Sequence, residues 1–176
     1  MKTIIVNLFG APGAGKSTGA AYIFSKIKMA GVNAELVTEF AKDKVWEESK
    51  EVFNNQIYIF GKQSFKISRV MNKVDVIITD SPIILSSFYN SDKMIQEELD
   101  ALVMKTFNSY NNMNYFIERV KPYQEKGRFQ TEAESDKIAD EVSTLLDEKE
   151  VDYEVIAGDT EGYDYIVKQI LHKLGK

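Results

Sequence analysis

Ile4-Ile5-Val6-Asn7-Leu8-Phe9-Gly10-Ala11-Pro12-Gly13-Ala14-Gly15-Lys16-Ser17 is the stretch that decides the fold. Its first six residues are almost unbroken apolar and β-branched, which predicts a strand buried on both faces of a parallel sheet. The next eight satisfy G-x-x-x-x-G-K-[ST] in full. Beyond them Ala20, Ile23, Phe24 and Ile27 recur at helical spacing from Lys16 to about Met29, and Gly31 follows as a stop signal. Strand, glycine loop and helix therefore come in the order that a phosphate-binding loop requires. The glycines let backbone N–H groups turn inward, and the helix N-terminus adds partial positive charge.

Outward from this core the alternation continues. Strands are predicted at Ala34 to Thr38, Val74 to Thr79, Tyr115 to Val120 and near Tyr153 to Ala157. Helical segments are predicted from Phe40 to about Lys73 and from Met94 to about Tyr110, the latter capped by Ser91 or Asp92. Thr131-Glu132-Ala133-Glu134 has capping-box spacing ahead of Ile138, Val142 and Leu145, and a last helix carries Ile166, Ile170 and Leu174. Five strands alternating with helices imply an α/β, three-layer, doubly wound parallel sheet with right-handed crossovers, the P-loop NTPase architecture. No repeat or linker interrupts residues 1–176, so one domain is expected, with a lid at approximately 120–131.

Composition removes several chemistries. There is no cysteine and a single histidine, His172, which excludes disulfides, zinc clusters and Ser-His-Asp catalysis. Any metal must be held by oxygen. No apolar run is long enough for a signal peptide or membrane span, so a cytoplasmic location and no membrane partner are expected. The net charge of −5 gives no general attraction to nucleic acid, although a local basic patch could supply one.

The expected cofactors are ATP and Mg²⁺. Gly10, Ala11, Pro12, Gly13, Ala14, Gly15, Lys16, Ser17 and Thr18 form the nucleotide-binding set. Lys16 is expected at the β- and γ-phosphates, the Ser17 hydroxyl on Mg²⁺, and Thr18 near the α-phosphate. Asp75-Val76-Ile77-Ile78-Thr79-Asp80 is a hydrophobic strand ending in an acid, which makes Asp80 the candidate second metal residue, with an N-cap or turn aspartate before Pro82 as the alternative. Glu39 ends the second strand in the same manner, either as a general base for an acceptor hydroxyl or as a helix-start glutamate.

Arg119, Lys121, Lys126 and Arg128 surround Gly127 in a polar stretch that reads as a lid carrying mobile cations, with Arg119 and Arg128 as the better phosphate ligands. A solvated basic loop is the alternative. Lys62, Lys66, Arg69 and Lys73 fall at helical offsets with no acid between Phe53 and Val74, either as a track for a phosphate-bearing acceptor or as a solvated face.

Three functions share such a loop: motor, switch and kinase. Asn72-Lys73-Val74-Asp75 matches the guanine-reading N-K-x-D pattern, but it precedes a strand instead of following one, and Asp80 lacks the glycine of a D-x-x-G switch. A motor or AAA-type protein would be expected to have more domains, an arginine supplied in trans and usually a longer chain. A kinase accounts for more of the residues.

Taken together, Asn7 to Thr18, Glu35-Leu36-Val37-Thr38-Glu39-Phe40-Ala41-Lys42-Asp43, Ile78-Thr79-Asp80-Ser81-Pro82 and Arg119-Val120-Lys121-Pro122-Tyr123 with Gly127-Arg128 resemble the nucleoside and nucleotide kinase group. Within it they look like a set of small phage-encoded P-loop proteins, and the plan also resembles the ribosylnicotinamide kinase domain and the thymidylate kinases. The resemblance implies an NMP-kinase-like fold with a lid, ATP and Mg²⁺, and a nucleoside-type acceptor. One activity in the phage set is 5-hydroxymethyluracil DNA kinase, which makes DNA containing a modified pyrimidine an expected partner. A free nucleoside, a deoxynucleoside monophosphate or nicotinamide riboside is the rival acceptor, and a nucleotide-dependent switch the rival class. The Asp-Arg pair of thymidylate kinases is replaced here by Asp80-Ser81-Pro82.

Overall fold

A computed structural model describes residues 2–47, 50–124 and 130–176. The apolar run at the start forms β1 (Ile4–Phe9), buried along its whole length, and the phosphate-loop motif leads from it into α1 (Lys16–Met29). The order continues β2 (Ala34–Val37), α2 (Phe40–Trp46), α3 (Gln56–Ser68), β3 (Val76–Thr79), α4 (Leu85–Phe88), α5 (Gln96–Asn108), β4 (Asn111–Glu118), α6 (Glu132–Glu148), β5 (Glu154–Ala157) and α7 (Thr160–Lys173). Short 3₁₀ turns precede α3 and α5.

All strand pairs are parallel, in the order β2-β3-β1-β4-β5. Alternate residues of β1 feed two cores, because successive side chains of a strand point to opposite faces. Ile4, Val6 and Leu8 pack with Ile23 and Ile27 of α1 and with Ile166 and Ile170 of α7. Ile5 and Phe9 pack with Phe60 and Ile67 of α3, Val103 and Phe107 of α5, and Val142 and Leu146 of α6. Helices thus cover both faces, as the βα alternation requires. Among the described residues no helix is long and apolar enough to cross a membrane.

Several boundaries differ from the sequence expectation. β4 begins at Asn111, not Tyr115, because its polar start is paired inside the sheet: Asn7 Nδ2 donates to Asn112 Oδ1 at 3.0 Å and to Asn114 Oδ1 at 2.9 Å. α3 ends at Ser68, five residues short of Lys73. α5 starts at Gln96, after a 3₁₀ turn whose Met94 N–H is capped by Asp92. α4 has no periodic signal and was not anticipated. The capping box at Thr131 is present: Thr131 Oγ1 accepts from Glu134 N at 3.3 Å, and Glu134 Oε2 accepts from Thr131 N at 2.7 Å.

Candidate functional site

Because the strands are parallel, each delivers its following loop to one edge of the sheet. Asn7 is opposite Thr79, and Val37 is also opposite Thr79, so the phosphate loop, Asp80 and Glu39 all leave the sheet at that edge. Glu118 is opposite Ala157, which brings Arg119 and Gly158 to the same side.

The loop is tight for reasons that single residues explain. Gly10 has φ 127°, and a Cβ there would lie 2.5 Å from the carbonyl oxygen of Ile117. Gly15, with φ 103°, starts α1, and no acid occupies the first turn of that helix. Its exposed N–H groups and dipole therefore remain available to an anion. Lys16 Nζ donates to Gly10 O at 2.7 Å and to Ala11 O at 2.8 Å, so the ammonium lies over the loop. Ser17 and Thr18 are exposed on the first turn.

Asp80 is 6% exposed, and its Oδ1 is buried without a hydrogen-bond partner. Buried carboxylate oxygens are normally paired, so an orphan at the strand end beside the phosphate loop has the chemistry of a cation ligand. No group of three or more His, Asp or Glu suited to a metal occurs among the described residues. Mg²⁺ at a phosphate site commonly uses one or two carboxylates with phosphate oxygens and water, and Asp80 with the Ser17 hydroxyl fits that donor set.

Glu39 is half-buried. Its charge acts on Tyr89: loss of solvent first, then the Glu39 charge, pushes the Tyr89 hydroxyl up to about 12. Both peptide groups beside Glu39 are held by α3. Lys66 Nζ donates to Thr38 O at 2.7 Å, and Gln63 Oε1 accepts from Phe40 N at 3.0 Å.

The cations are arranged differently from the expectation. Arg119, read from the sequence as a mobile lid residue, is tied down: its Nη2 is paired with Glu132 Oε1 at 3.1 Å and with Asp136, and its guanidinium stacks 5.1 Å from the Tyr123 ring. Its Nη1 is buried without a partner. Lys126, Gly127 and Arg128 lie outside the described residues. The basic stripe on α3 is broken, since Lys66 is engaged at Thr38, Lys62 sits 5.3 Å over the Tyr58 ring and Lys73 lies beyond the helix end. Asn72 to Asp75 lies ahead of β3, at the sheet edge remote from the phosphate loop, and Asp75 Oδ2 accepts from Asn33 N there.

Two braces of the loop had no sequence signal. The buried Ser135 of α6 donates to Pro12 O at 2.8 Å, and Tyr163 of α7 donates to Gly15 O at 3.0 Å. Only their partners, not any motif of their own, mark them.

This is a P-loop, NMP-kinase-like fold: five parallel strands with helices on both faces. The chain belongs to the AAA domain family, whose model matches residues 5–162. Chain length, which argued against an AAA-type protein in the sequence, is therefore no guide to membership. Among solved structures the chain is similar to the NadR protein in complex with NR, with a TM-score of 0.74 at 18% identity over 99% of this chain and 52% of that one. It spans about half of that protein. It is also similar to deoxyadenosine kinase from M. mycoides with bound dATP (TM-score 0.62, 16% identity, 98% of this chain and 100% of that one). Thymidylate kinase from Ehrlichia chaffeensis gives a TM-score of 0.58 at 13% identity, over 99% and 100% of the two chains. No curated protein matches the sequence.

Proposed function

We propose that residues 1–176 form one kinase domain that transfers the γ-phosphoryl group of ATP to a nucleoside-type acceptor. The observation that carries this reading is a complete phosphate loop beside a buried, unpartnered carboxylate oxygen, that of Asp80. The named kinases among the similar folds support it at the level of fold.

In this reading the loop N–H groups and Lys16 hold the β- and γ-phosphates. Ser17 and Asp80 hold Mg²⁺, which when bound neutralises charge on the terminal phosphates. An acceptor hydroxyl oxygen, or a phosphate oxygen where the acceptor is a monophosphate, bonds to the γ-phosphorus as the bond to the β–γ bridging oxygen breaks, and ADP leaves. Glu39 accepts the hydroxyl proton from the Tyr89 side of the site. The free Nη1 of Arg119 is a donor for nucleotide or transferred phosphoryl oxygen, and Arg128 is proposed from sequence alone as the second cation.

For the acceptor, the broken stripe on α3 offers a polymer a poor track. A free nucleoside, a deoxynucleoside monophosphate or nicotinamide riboside is therefore placed first, and the hydroxymethyl group of 5-hydroxymethyluracil in DNA second, on resemblance.

The test is transfer of γ-labelled phosphate from ATP to deoxynucleosides, their monophosphates, nicotinamide riboside, and duplexes with thymine or 5-hydroxymethyluracil, with Lys16→Ala as the control. Label on a free acceptor, lost in the control, is the expected result. Label confined to the hydroxymethyluracil duplex would reverse the order of acceptors. Turnover of ATP with no acceptor labelled would replace the kinase with an ATPase or switch.

A further inference from the structure

The phosphate-loop motif accounts for Gly10 and Gly15 but not for Gly19, which lies buried inside α1, where a glycine weakens a helix. The structure gives the reason. A Cβ on Gly19 would lie 2.4 Å from Cε1 of Tyr163, and a Cβ on Gly15 would lie 2.5 Å from its hydroxyl oxygen. Both glycines make room for one aromatic ring from the last helix. That ring is 3% exposed, and its position on α7 is fixed by an N-cap, with Asp159 Oδ1 accepting from Gly162 N at 2.9 Å.

The Tyr163 hydroxyl donates to the Gly15 carbonyl at 3.0 Å. The same carbonyl accepts the Gly19 N–H at 2.8 Å. No cis peptide occurs in the described chain, so the Gly15 carbonyl and the Lys16 N–H point in opposite directions within one rigid peptide plane. Holding the carbonyl toward α7 therefore aims the Lys16 N–H away from α7. The Lys16 side chain itself reaches back over the loop to the carbonyls of Gly10 and Ala11. Burial, and then the charge of Asp159, raise the Tyr163 phenol above its ordinary range, so it stays a donor at neutral pH.

We infer that Tyr163 is a positioning residue for phosphate binding: it orients the Gly15–Lys16 peptide so that the Lys16 amide faces the bound phosphates. This rests on the proposed nucleotide-binding role of the loop. The contribution is specific to phosphate, because the nucleoside part of a ligand does not meet that amide.

The experiment measures affinities of the full chain for ATP, ADP and adenosine by calorimetry, for wild type, Tyr163→Phe and Gly19→Ala, alongside thermal melts. Tyr163→Phe keeps the ring and removes the donor; Gly19→Ala keeps the donor and displaces the ring, so either variant reads the effect if the other does not fold. Loss of one hydrogen bond predicts about 2- to 10-fold weaker ATP and ADP binding with adenosine unchanged. A wild type that binds ATP and ADP no better than adenosine would remove the loop's nucleotide role itself. Phosphate-dependent binding in the wild type that persists unchanged in a folded variant, or weakening equal for adenosine and ATP, would overturn the inference about Tyr163.

Discussion

The Oε1 of Gln63 accepts the backbone N–H of Phe40 at 3.0 Å, and its Nε2 lies 3.5 Å from Thr79 Oγ1. One buried amide, 3% exposed, thus stands between the residue after Glu39 and the residue before Asp80. Gln63→Leu would leave the half-buried Phe40 N–H without this partner, at a cost of about 1 kcal/mol. The nucleotide side of the site is not touched. The expected outcome is a lower melting temperature and a reduced kcat for phosphoryl transfer, with the ATP dissociation constant unchanged. Gln63→Glu keeps an acceptor for Phe40 N–H and should recover part of the rate.

Asp80 sets function against stability. Its Oδ1 is buried without a hydrogen-bond partner, and a buried carboxylate oxygen left unpaired opposes folding. Asp80→Asn removes the charge with almost no change in shape. Without nucleotide and Mg²⁺ the variant should therefore melt at a higher temperature, by an amount on the order of 1 kcal/mol. Loss of the cation ligand should lower transfer by about 100-fold. Melting curves with and without Mg²⁺ and nucleotide read both effects, and the ligands should stabilise the wild type more than the variant.

Tyr89 gives a pH dependence with a defined sign. Its phenol is raised to about 12 in the folded chain, first by desolvation and then by the charge of Glu39, whereas an unfolded tyrosine ionises near pH ~10. Below the unfolded value both states hold the proton, and Tyr89 adds no pH dependence. Above it the unfolded chain releases the proton first, so stability falls as pH rises toward the folded value. Urea unfolding at pH about 9 and about 11.5 should show a smaller alkaline loss for Tyr89→Phe than for wild type. Glu39→Gln removes the second cause, and the phenolate absorbance of Tyr89 should then appear at lower pH. An unchanged titration in Glu39→Gln would separate the two residues.

What the sequence disclosed depended on how local its signal was. The loop, α1 and the Thr131–Glu134 capping box are written in neighbouring residues, and each appears where its pattern fell. The start of β4 was hidden because Asn111, Asn112 and Asn114 carry no strand pattern, and the partner that pairs the side chains of Asn112 and Asn114 is Asn7, on another strand. The α3 cations looked like one stripe because periodicity carries no knowledge of the turn after β2, where Lys66 finds the Thr38 carbonyl. The bracing contacts of Gln63 and Tyr163 were not legible for the same reason: they are made with segments 23 and 148 residues away. The position of Asp80 at the end of β3 was legible because the end of a buried parallel strand is itself a local signal.

Two glycines separate the effect of space from that of propensity. Gly61 lies inside α3, and a Cβ there would meet nothing within 4 Å. Gly61→Ala should stabilise the chain by about 0.5–1 kcal/mol, since alanine loses less backbone entropy in a helix. Gly158 is the opposite case. A Cβ there would lie 2.4 Å from Ala14 O and 2.7 Å from Glu118 O, both backbone atoms, one of them in the phosphate loop. The Gly158 N–H also donates to Glu118 O at 2.8 Å, so the segment cannot withdraw without losing that bond. Gly158→Ala should therefore cost about 1–3 kcal/mol and displace Ala14, weakening ATP binding. Melting curves and nucleotide titrations of the two variants should move in opposite directions for stability, with only Gly158→Ala changing affinity. Equal affinity in both would mean that the β5–α7 turn does not set the shape of the loop.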